Sequence, residues 1–163
     1  MQNSGSVTLS ELLSPARIKL ELESNDRESV LGELVNCIPE LSDRPEAKQT
    51  LLRALHEREQ LHSTGIGDGI ALPHSRNALV GLVDQPVVVF GRHPQGIAYG
   101  APDAIPARLF FLIVGPEASA GQHVKVLSRI ARLVRRDTLR EQLCQADTPD
   151  QFYSALLDAE ARA

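Results

Sequence analysis

The sequence predicts an α/β protein, a single-domain sandwich in which helices flank a mixed β-sheet. Apolar runs of strand length alternate along the chain with segments of helical periodicity, which is typical of this class. The 163 residues suit one domain of ordinary size. A composition of 42% hydrophobic and 23% charged residues is that of an average globular protein. We expect a flexible N-terminus at residues 1–7, one domain over residues 8–158 and a short tail at residues 159–163.

The first half of the chain predicts a short helical turn that begins at Thr8, then one strand and two helices. In residues 17–24, RIKLELES, apolar and charged side chains alternate, which indicates a strand with one wet face. Asp26 is the expected N-cap of the first long helix, and Pro39 marks its end. The second helix follows Asp43, and five of its residues share one side: Ala47, Leu51, Ala54, Leu55 and Arg58.

The second half predicts three extended segments and a helical C-terminal region. The segment IALPH is a brief extended piece, and Pro86–Arg92, PVVVFGR, has the β-branched residues of a buried strand. The following PQG is expected to turn the chain, and IPARLFFLIVGP gives another apolar strand. His123 lies at the beginning of a long amphipathic helix. Two short helices follow, the last with a capping box formed by Thr148 and Gln151.

Charge and hydropathy exclude several classes of function. A formal net charge of −4 leaves no basic surface for nucleic acid. No apolar run approaches the ~20 residues that span a bilayer, and the N-terminus lacks the pattern of a signal peptide, so we expect a cytoplasmic protein without membrane insertion. No metal or cofactor is expected, because neither HExxH nor a cysteine–histidine pattern involves any of the five histidines: His56, His62, His74, His93 and His123.

The most informative stretch is STGIGDGIALPHS, residues 63–75. Three glycines at alternate positions allow positive φ angles and close approach of backbone N–H groups to an anion. Their spacing matches neither the P-loop nor the dinucleotide fingerprint, and no serine lies in a GxSxG elbow. Pro73 stiffens the backbone next to His74. A histidine nucleophile for phosphoryl transfer is the chemistry that remains, and it would need backbone donors, a guanidinium and a group that orients the imidazole.

The residues alone leave simpler interpretations open. His74 could be a surface-loop histidine beside a plain glycine turn. His123 could be an ordinary polar residue of a helix first turn, and Arg58 could be a solvated helix charge.

Three motifs together resemble a known family. They are RE at Arg58–Glu59, STGIGDGIALPH at Ser63–His74, and HVKVL at His123–Leu127. The chain resembles enzyme IIA of the bacterial phosphotransferase system, mannitol and fructose class, from about Leu9 to about Leu157. Its N-terminal segment and the absence of an appended carrier or membrane module are most similar to the nitrogen-regulatory branch.

The resemblance implies a role for each motif. His74 would accept a phosphoryl group from the phosphohistidine of the carrier HPr or its nitrogen-type counterpart. His123 would orient His74 or bind the phosphoryl group, and Arg58 would contact the phosphate oxygens through its fork of N–H donors. Five residues would shape the rim of the site and supply backbone donors: Ser63, Thr64, Gly65, Ile66 and Gly67.

Three functions follow from this family. The first is a regulatory phosphoryl carrier whose phosphorylation state decides which target proteins it binds. The second is a sugar-specific enzyme IIA that passes phosphate to an enzyme IIB during fructose- or mannitol-type uptake. The third is an interaction module that has lost phosphorylation, and the intact trio of Arg58, His74 and His123 argues against it.

Overall fold

A mixed five-stranded sheet forms the middle layer of the protein. The computed structural model describes residues 9–75, 83, 86–115 and 120–162, except the side chains of residue 10 and of residues 120–123. The strand order is β1-β4-β5-β3-β2, with β1/β4 and β3/β5 parallel and the other two pairs antiparallel. This confirms the predicted α/β sandwich. The strands are β1 (Ile18–Lys19), β2 (Gly65–Gly67), β3 (Ile70–Ala71), β4 (Val87–Ile97) and β5 (Ala107–Val114).

Helices cover both faces of this sheet. Helices α2 and α3 pack on one face, and α1, α4, α5 and α6 pack on the other. Within the described ranges no helix is long and apolar enough to cross a membrane. The helices are α1 (Leu9–Leu12), α2 (Arg27–Val35), α3 (Pro45–Leu61), α4 (Ala120–Leu133), α5 (Asp137–Gln145) and α6 (Pro149–Ala161), with short 3₁₀ turns at Pro15–Arg17 and Pro39–Leu41.

Strand β5 is buried on both faces and divides the core into two layers. Phe110, Leu112 and Val114 belong to the apolar cluster under α2 and α3. Leu109, Phe111 and Ile113 of β5 belong to the cluster under α1, α4, α5 and α6. This two-sided burial explains why the strand reads as a continuous apolar run rather than an alternating one.

The two predicted N-caps, Asp26 and Thr148, are confirmed. Asp26 Oδ1 accepts a hydrogen bond from the Ser29 backbone N–H at 2.8 Å, and Thr148 Oγ1 accepts one from the Gln151 N–H at 3.1 Å. The Gln151 side chain accepts from the N–H of Asp147 at 2.7 Å, one residue before the N-cap, so the capping box is shifted by one position. The turn expected at Thr8 begins outside the described residues, and α1 starts at Leu9.

The strand predicted over residues 17–24 is much shorter. Only Ile18 and Lys19 pair with β4. In a regular strand Ile18 and Leu22 would share a face, but Ile18 lies in the cluster under α1 and Leu22 lies in the cluster under α2. Leu20 still packs against the cluster of Ile18, so the chain crosses from one face of the sheet to the other between Leu20 and Leu22, just after the ladder ends.

The turn predicted at PQG is wrong. Strand β4 continues through these residues to Ile97, and its pairing with β5 shifts register between Arg92 and Ile97. The buried His93 ring holds this irregular section, since its Nδ1 accepts hydrogen bonds from the N–H groups of Gln95 at 3.2 Å and Gly96 at 2.9 Å. Proline and glycine here mark a bulge within a strand rather than its end.

Arg92 joins β4 to the end of α5. Its Nη1 donates to three backbone carbonyls, those of Leu143 at 2.9 Å, Cys144 at 3.1 Å and Ala146 at 2.8 Å. Its Nε donates to the Leu20 carbonyl at 3.2 Å. The last carbonyls of a helix lack intrahelical partners, so one guanidinium caps α5 and ties it to the sheet.

We expect Arg92→Met to destabilise the protein by about 3 kcal/mol, because methionine keeps the apolar stem but leaves these carbonyls without their charged donor. Urea unfolding followed by circular dichroism measures the difference. Arg108→Met, at an exposed position of β5, is the matched control and should change the free energy of unfolding by less than about 0.5 kcal/mol. Equal effects of the two substitutions would show that Arg92 has no capping role.

Candidate functional site

The glycine-rich segment forms a tight hairpin between β2 and β3. Gly67 and Gly69 have φ angles of +99° and +78°, and Asp68 between them has +56°. Asp103 braces this turn, since its Oδ2 accepts a hydrogen bond from the Asp68 N–H at 2.8 Å. The positive φ angles therefore serve the hairpin turn, and the hairpin sets the path of the chain towards His74.

His74 lies just beyond β3, beside the C-terminal end of β5. It pairs in parallel with Ile113, and the preceding Pro73 carbonyl accepts the Ile113 N–H at 3.0 Å. The imidazole is half-buried, and its Nδ1 lies 2.8 Å from the Leu72 carbonyl oxygen. Because a carbonyl only accepts, Nδ1 carries the proton and donates it. In the neutral ring the nucleophilic lone pair is therefore on Nε2.

The pKa of His74 lies below the ordinary histidine value. Burial is the main cause, because it disfavours the charged imidazolium, and the positive charge of Arg58 acts in the same direction. The hydrogen bond to the Leu72 carbonyl and the negative charge of Glu59 raise the pKa but do not outweigh burial. The ring is therefore held in the neutral form that a nucleophile requires.

Arg58 lies in the last turn of α3, just before the segment that leads to His74. Its Nη1 donates to the backbone carbonyl of His62 at 2.6 Å, which fixes the guanidinium at the helix C-terminus. The His62 side chain is exposed. Arg58 is half-buried, and its positive charge acts to lower the pKa of His74.

His123 is the fourth residue of α4, which follows the C-terminal end of β5. The backbone therefore brings this helix to the same end of β5 as His74. The His123 side chain lies outside the described residues.

Ser63 to Gly67 run beside the segment that leads to His74, because the Thr64 carbonyl accepts the Leu72 N–H at 2.9 Å. The Thr64 N–H donates to Glu59 Oε1 at 3.0 Å, and the Gly65 N–H donates to Ser63 Oγ at 3.0 Å. These two amides thus have partners within the protein. Gly65 and Gly67 are buried in β2, and Ile66 between them is exposed.

Sequence reasoning missed the part played by Glu59. The predicted face of α3 ended at Arg58, but the buried residues of the helix are Leu51, Leu55 and Glu59. They are spaced by four, so a carboxylate continues an apolar stripe. A glutamate at a position where the spacing predicts an apolar residue was the sequence signal for this role, because buried carboxylates are rare unless hydrogen-bond donors surround them.

No three histidine, cysteine, aspartate or glutamate side chains in the described part of the chain converge as metal ligands. The groups that come together near the C-terminal end of β5 are an imidazole, a guanidinium and a buried carboxylate. That set can hold a phosphoryl group without a metal ligand. The imidazole nitrogen can bind the phosphorus, and the guanidinium cation can stabilise the negative oxygens.

Comparison with known proteins identifies the family. The model of the family "Phosphoenolpyruvate-dependent sugar phosphotransferase system, EIIA 2" matches residues 11–159. The chain belongs to this family. Enzyme IIA components are phosphotransferases that carry the phosphoryl group as a phosphohistidine, so this chain is a phosphoryl carrier. Enzyme IIA proteins exchange this group with phosphodonor proteins and with enzyme IIB components.

Relatives of this enzyme IIA include sugar-specific components and nitrogen regulatory proteins. A fructose-specific EIIABC component of Bacillus subtilis is 38% identical over 91% of the chain, but the chain spans only 23% of that protein. A nitrogen regulatory protein of Pseudomonas aeruginosa is 30% identical, and the match covers 94% of the chain and 97% of the relative. The crystal structure of nitrogen regulatory protein IIA-Ntr from Neisseria meningitidis has a TM-score of 0.81 at 29% identity, covering 91% of this chain and 98% of that one.

Proposed function

We propose that His74 accepts the phosphoryl group on Nε2 and that the protein acts mainly as a regulator. The hydrogen bond of 2.8 Å between Nδ1 and the Leu72 carbonyl carries this proposal, since it commits the ring proton to Nδ1 and the lone pair to Nε2. The donor is the phosphohistidine of HPr or of its nitrogen-type counterpart.

In the transfer step the Nε2 lone pair attacks the phosphorus of the donor phosphohistidine. The Nε2–P bond forms, the N–P bond of the donor breaks, and the donor imidazole leaves with the electron pair. The His74 proton stays on Nδ1, hydrogen-bonded to Leu72, so the phosphorylated ring carries a positive charge until it passes the group on or loses that proton. Arg58 stabilises the negative oxygens of the phosphoryl group.

His123 completes the proposed site by orienting His74 or by donating a hydrogen bond to the phosphoryl group. Support comes from the family motif and from the position of α4 beside the C-terminal end of β5. Ser63, Thr64, Gly65, Ile66 and Gly67 would form the rim. Because the amides of Thr64 and Gly65 already donate within the protein, we assign these two residues a shaping role rather than direct phosphate binding.

We expect phosphoryl acceptance to persist at pH values below 6.5, the ordinary pKa of histidine. The pKa of His74 is lowered, so Nε2 keeps its lone pair as the pH falls through 6.5 and loses it only at the lower folded-state value. The histidine Cε1–H resonance followed by NMR across pH gives the midpoint directly, independent of the donor's own titration. A midpoint at or above 6.5 for His74 would refute this prediction.

The regulatory interpretation is supported by similarity to nitrogen regulatory proteins. One of them, from Pseudomonas aeruginosa, is 30% identical over 94% of the chain, and IIA-Ntr from Neisseria meningitidis has the same fold with a TM-score of 0.81. The higher identity of 38% to the fructose-specific EIIABC component keeps a second candidate, an enzyme IIA that passes phosphate to a fructose-type enzyme IIB. Transfer of labelled phosphate to a purified enzyme IIB would favour transport, and phosphorylation-dependent binding of a protein without such transfer would favour regulation.

The proposed acceptor role is tested by intact mass. The protein is incubated with phosphoenolpyruvate, enzyme I and HPr, and in parallel with the nitrogen-type enzyme I and carrier. A single acid-labile phosphoryl group from either relay supports the proposal, and the faster relay identifies the donor. No uptake from either relay would make the chain an interaction module instead.

A further inference from the structure

Glu59 is a buried carboxylate next to the candidate site. Glu59 is 5% exposed, and both of its carboxylate oxygens accept hydrogen bonds. Oε1 accepts from the Thr64 N–H at 3.0 Å, and Oε2 accepts from the hydroxyl groups of Thr64 and of Tyr99, the latter at 2.9 Å. Three donors compensate for the loss of water around one carboxylate, so the charge is tolerated at this position.

A continuous chain of hydrogen bonds runs from this carboxylate to the imidazole. Glu59 holds the Thr64 N–H, and the Thr64 carbonyl accepts the Leu72 N–H at 2.9 Å. The Leu72 carbonyl in turn accepts the proton of His74 Nδ1 at 2.8 Å. Each link fixes the position of the next, so the orientation of the His74 ring depends on the place where Glu59 anchors Thr64.

We propose that Glu59 is a positioning residue for phosphoryl transfer. Through Thr64 and Leu72 it fixes the tautomer and orientation of the His74 ring, and its negative charge stabilises the cationic ring that forms when Nε2 is phosphorylated. This inference rests on the proposed role of His74 as acceptor and assigns the buried carboxylate a part in that same step.

The charges around His74 act on two parts of the phosphohistidine that the attack forms, the phosphoryl group and the ring. Arg58, on α3, stabilises the phosphoryl oxygens, whereas Glu59, on the next position of the same helix, stabilises the positive ring. Arg27 of α2 lies further out, with its guanidinium carbon 6.0 Å from the centre of the Tyr99 ring. His123 of α4 is a further titratable residue at this end of β5, and its side chain lies outside the described residues.

Glu59→Gln separates the charge from the geometry. The glutamine oxygen can accept from the Thr64 N–H, and its NH₂ group can donate to the hydroxyl oxygens of Thr64 and Tyr99, which also accept. We expect the fold to persist, phosphoryl acceptance from a pre-phosphorylated donor to slow about tenfold, and the NMR titration midpoint of His74 to move to lower pH. Glu57→Gln, exposed on the same helix, should change neither quantity.

A purely structural Glu59 would give a different result. If Glu59→Gln folds and both its rate and its His74 midpoint equal those of wild type, the proposal is overturned. If the variant does not fold, Tyr99→Phe decides. This variant keeps the Glu59 carboxylate but removes the Tyr99 O–H dipole, whose positive end offsets the negative charge of Glu59. The NMR titration midpoint of His74 should therefore rise. A midpoint equal to or below that of wild type overturns the proposal.

The His74→Gln variant, run in parallel, separates this inference from the proposed function. Phosphoryl uptake by that variant would refute His74 as the acceptor. Loss of uptake there, together with wild-type behaviour of Glu59→Gln, would refute only the role of Glu59.

Discussion

We expect the His74→Gln variant to take up no phosphoryl group from either relay. The amide nitrogen of glutamine has no nucleophilic lone pair, so the variant lacks the nitrogen that attacks phosphorus. The fold should survive, since the half-buried ring contributes one hydrogen bond to the Leu72 carbonyl and a glutamine NH₂ group can donate there instead. The free energy of unfolding should change by less than about 1 kcal/mol.

Intact mass after incubation with phosphoenolpyruvate and the carrier proteins measures the uptake. His62→Gln is the matched control, because its imidazole is exposed and its backbone carbonyl, which holds Arg58, is unchanged. That control should take up one phosphoryl group at the wild-type rate. Residual uptake by His74→Gln, or loss of uptake by His62→Gln, would move the acceptor to another histidine.

Arg58→Lys should slow phosphoryl acceptance about 100-fold with little change in stability, because a lysine is a point charge without the planar fork of N–H donors. In the structure one guanidinium nitrogen, Nη1, is committed to the His62 carbonyl. The rest of the fork can then contact phosphate oxygens while the group stays anchored. A lysine ammonium must divide its donors between the carbonyl and the phosphate without that fixed geometry.

Initial rates of uptake from a pre-phosphorylated donor measure this effect, and Arg53→Lys, at an exposed position of the same helix, is the control. The account predicts a wild-type rate for Arg53→Lys. A wild-type rate for Arg58→Lys as well would remove Arg58 from the site, and its contact with His62 would then be only a helix cap.

Local chemistry made much of the fold predictable. The carboxylate of Asp26 and the hydroxyl of Thr148 cap their helices through bonds to residues three positions later, and such short-range bonds can be predicted from sequence. The apolar run of β5 is similarly direct, because burial on both faces requires it. These elements depend on neighbours within a few residues.

Errors arose where a distant contact decides the local structure. Ile18 and Leu22 alternate correctly for a strand, but they are buried in opposite core clusters, and the ladder ends after Lys19. At PQG the antiparallel partner β5 and the His93 ring hold the chain in an irregular strand. Neither the position of the helices above Leu22 nor the partner strand opposite PQG is encoded in the few residues around them.

The candidate site likewise combines features that the local sequence predicts with features that depend on distant contacts. The motif around His74 predicted a nucleophile and a guanidinium, and in the structure the positive charge of Arg58 acts to lower the pKa of His74. The glycines, expected to offer backbone donors, form a hairpin turn, and two of the predicted rim amides, those of Thr64 and Gly65, bond within the protein. The role of Glu59 depends on Tyr99, forty residues along the chain, so its contacts could be found only in three dimensions.

The most direct test of the central claim is ¹⁵N–³¹P NMR of the phosphorylated protein with ¹⁵N-labelled histidine. The account predicts one phosphorus resonance coupled to Nε2 of His74, with the proton retained on Nδ1. Coupling to Nδ1 of His74, or to a nitrogen of any other histidine, would contradict the tautomer that the Leu72 carbonyl imposes and the mechanism built on it.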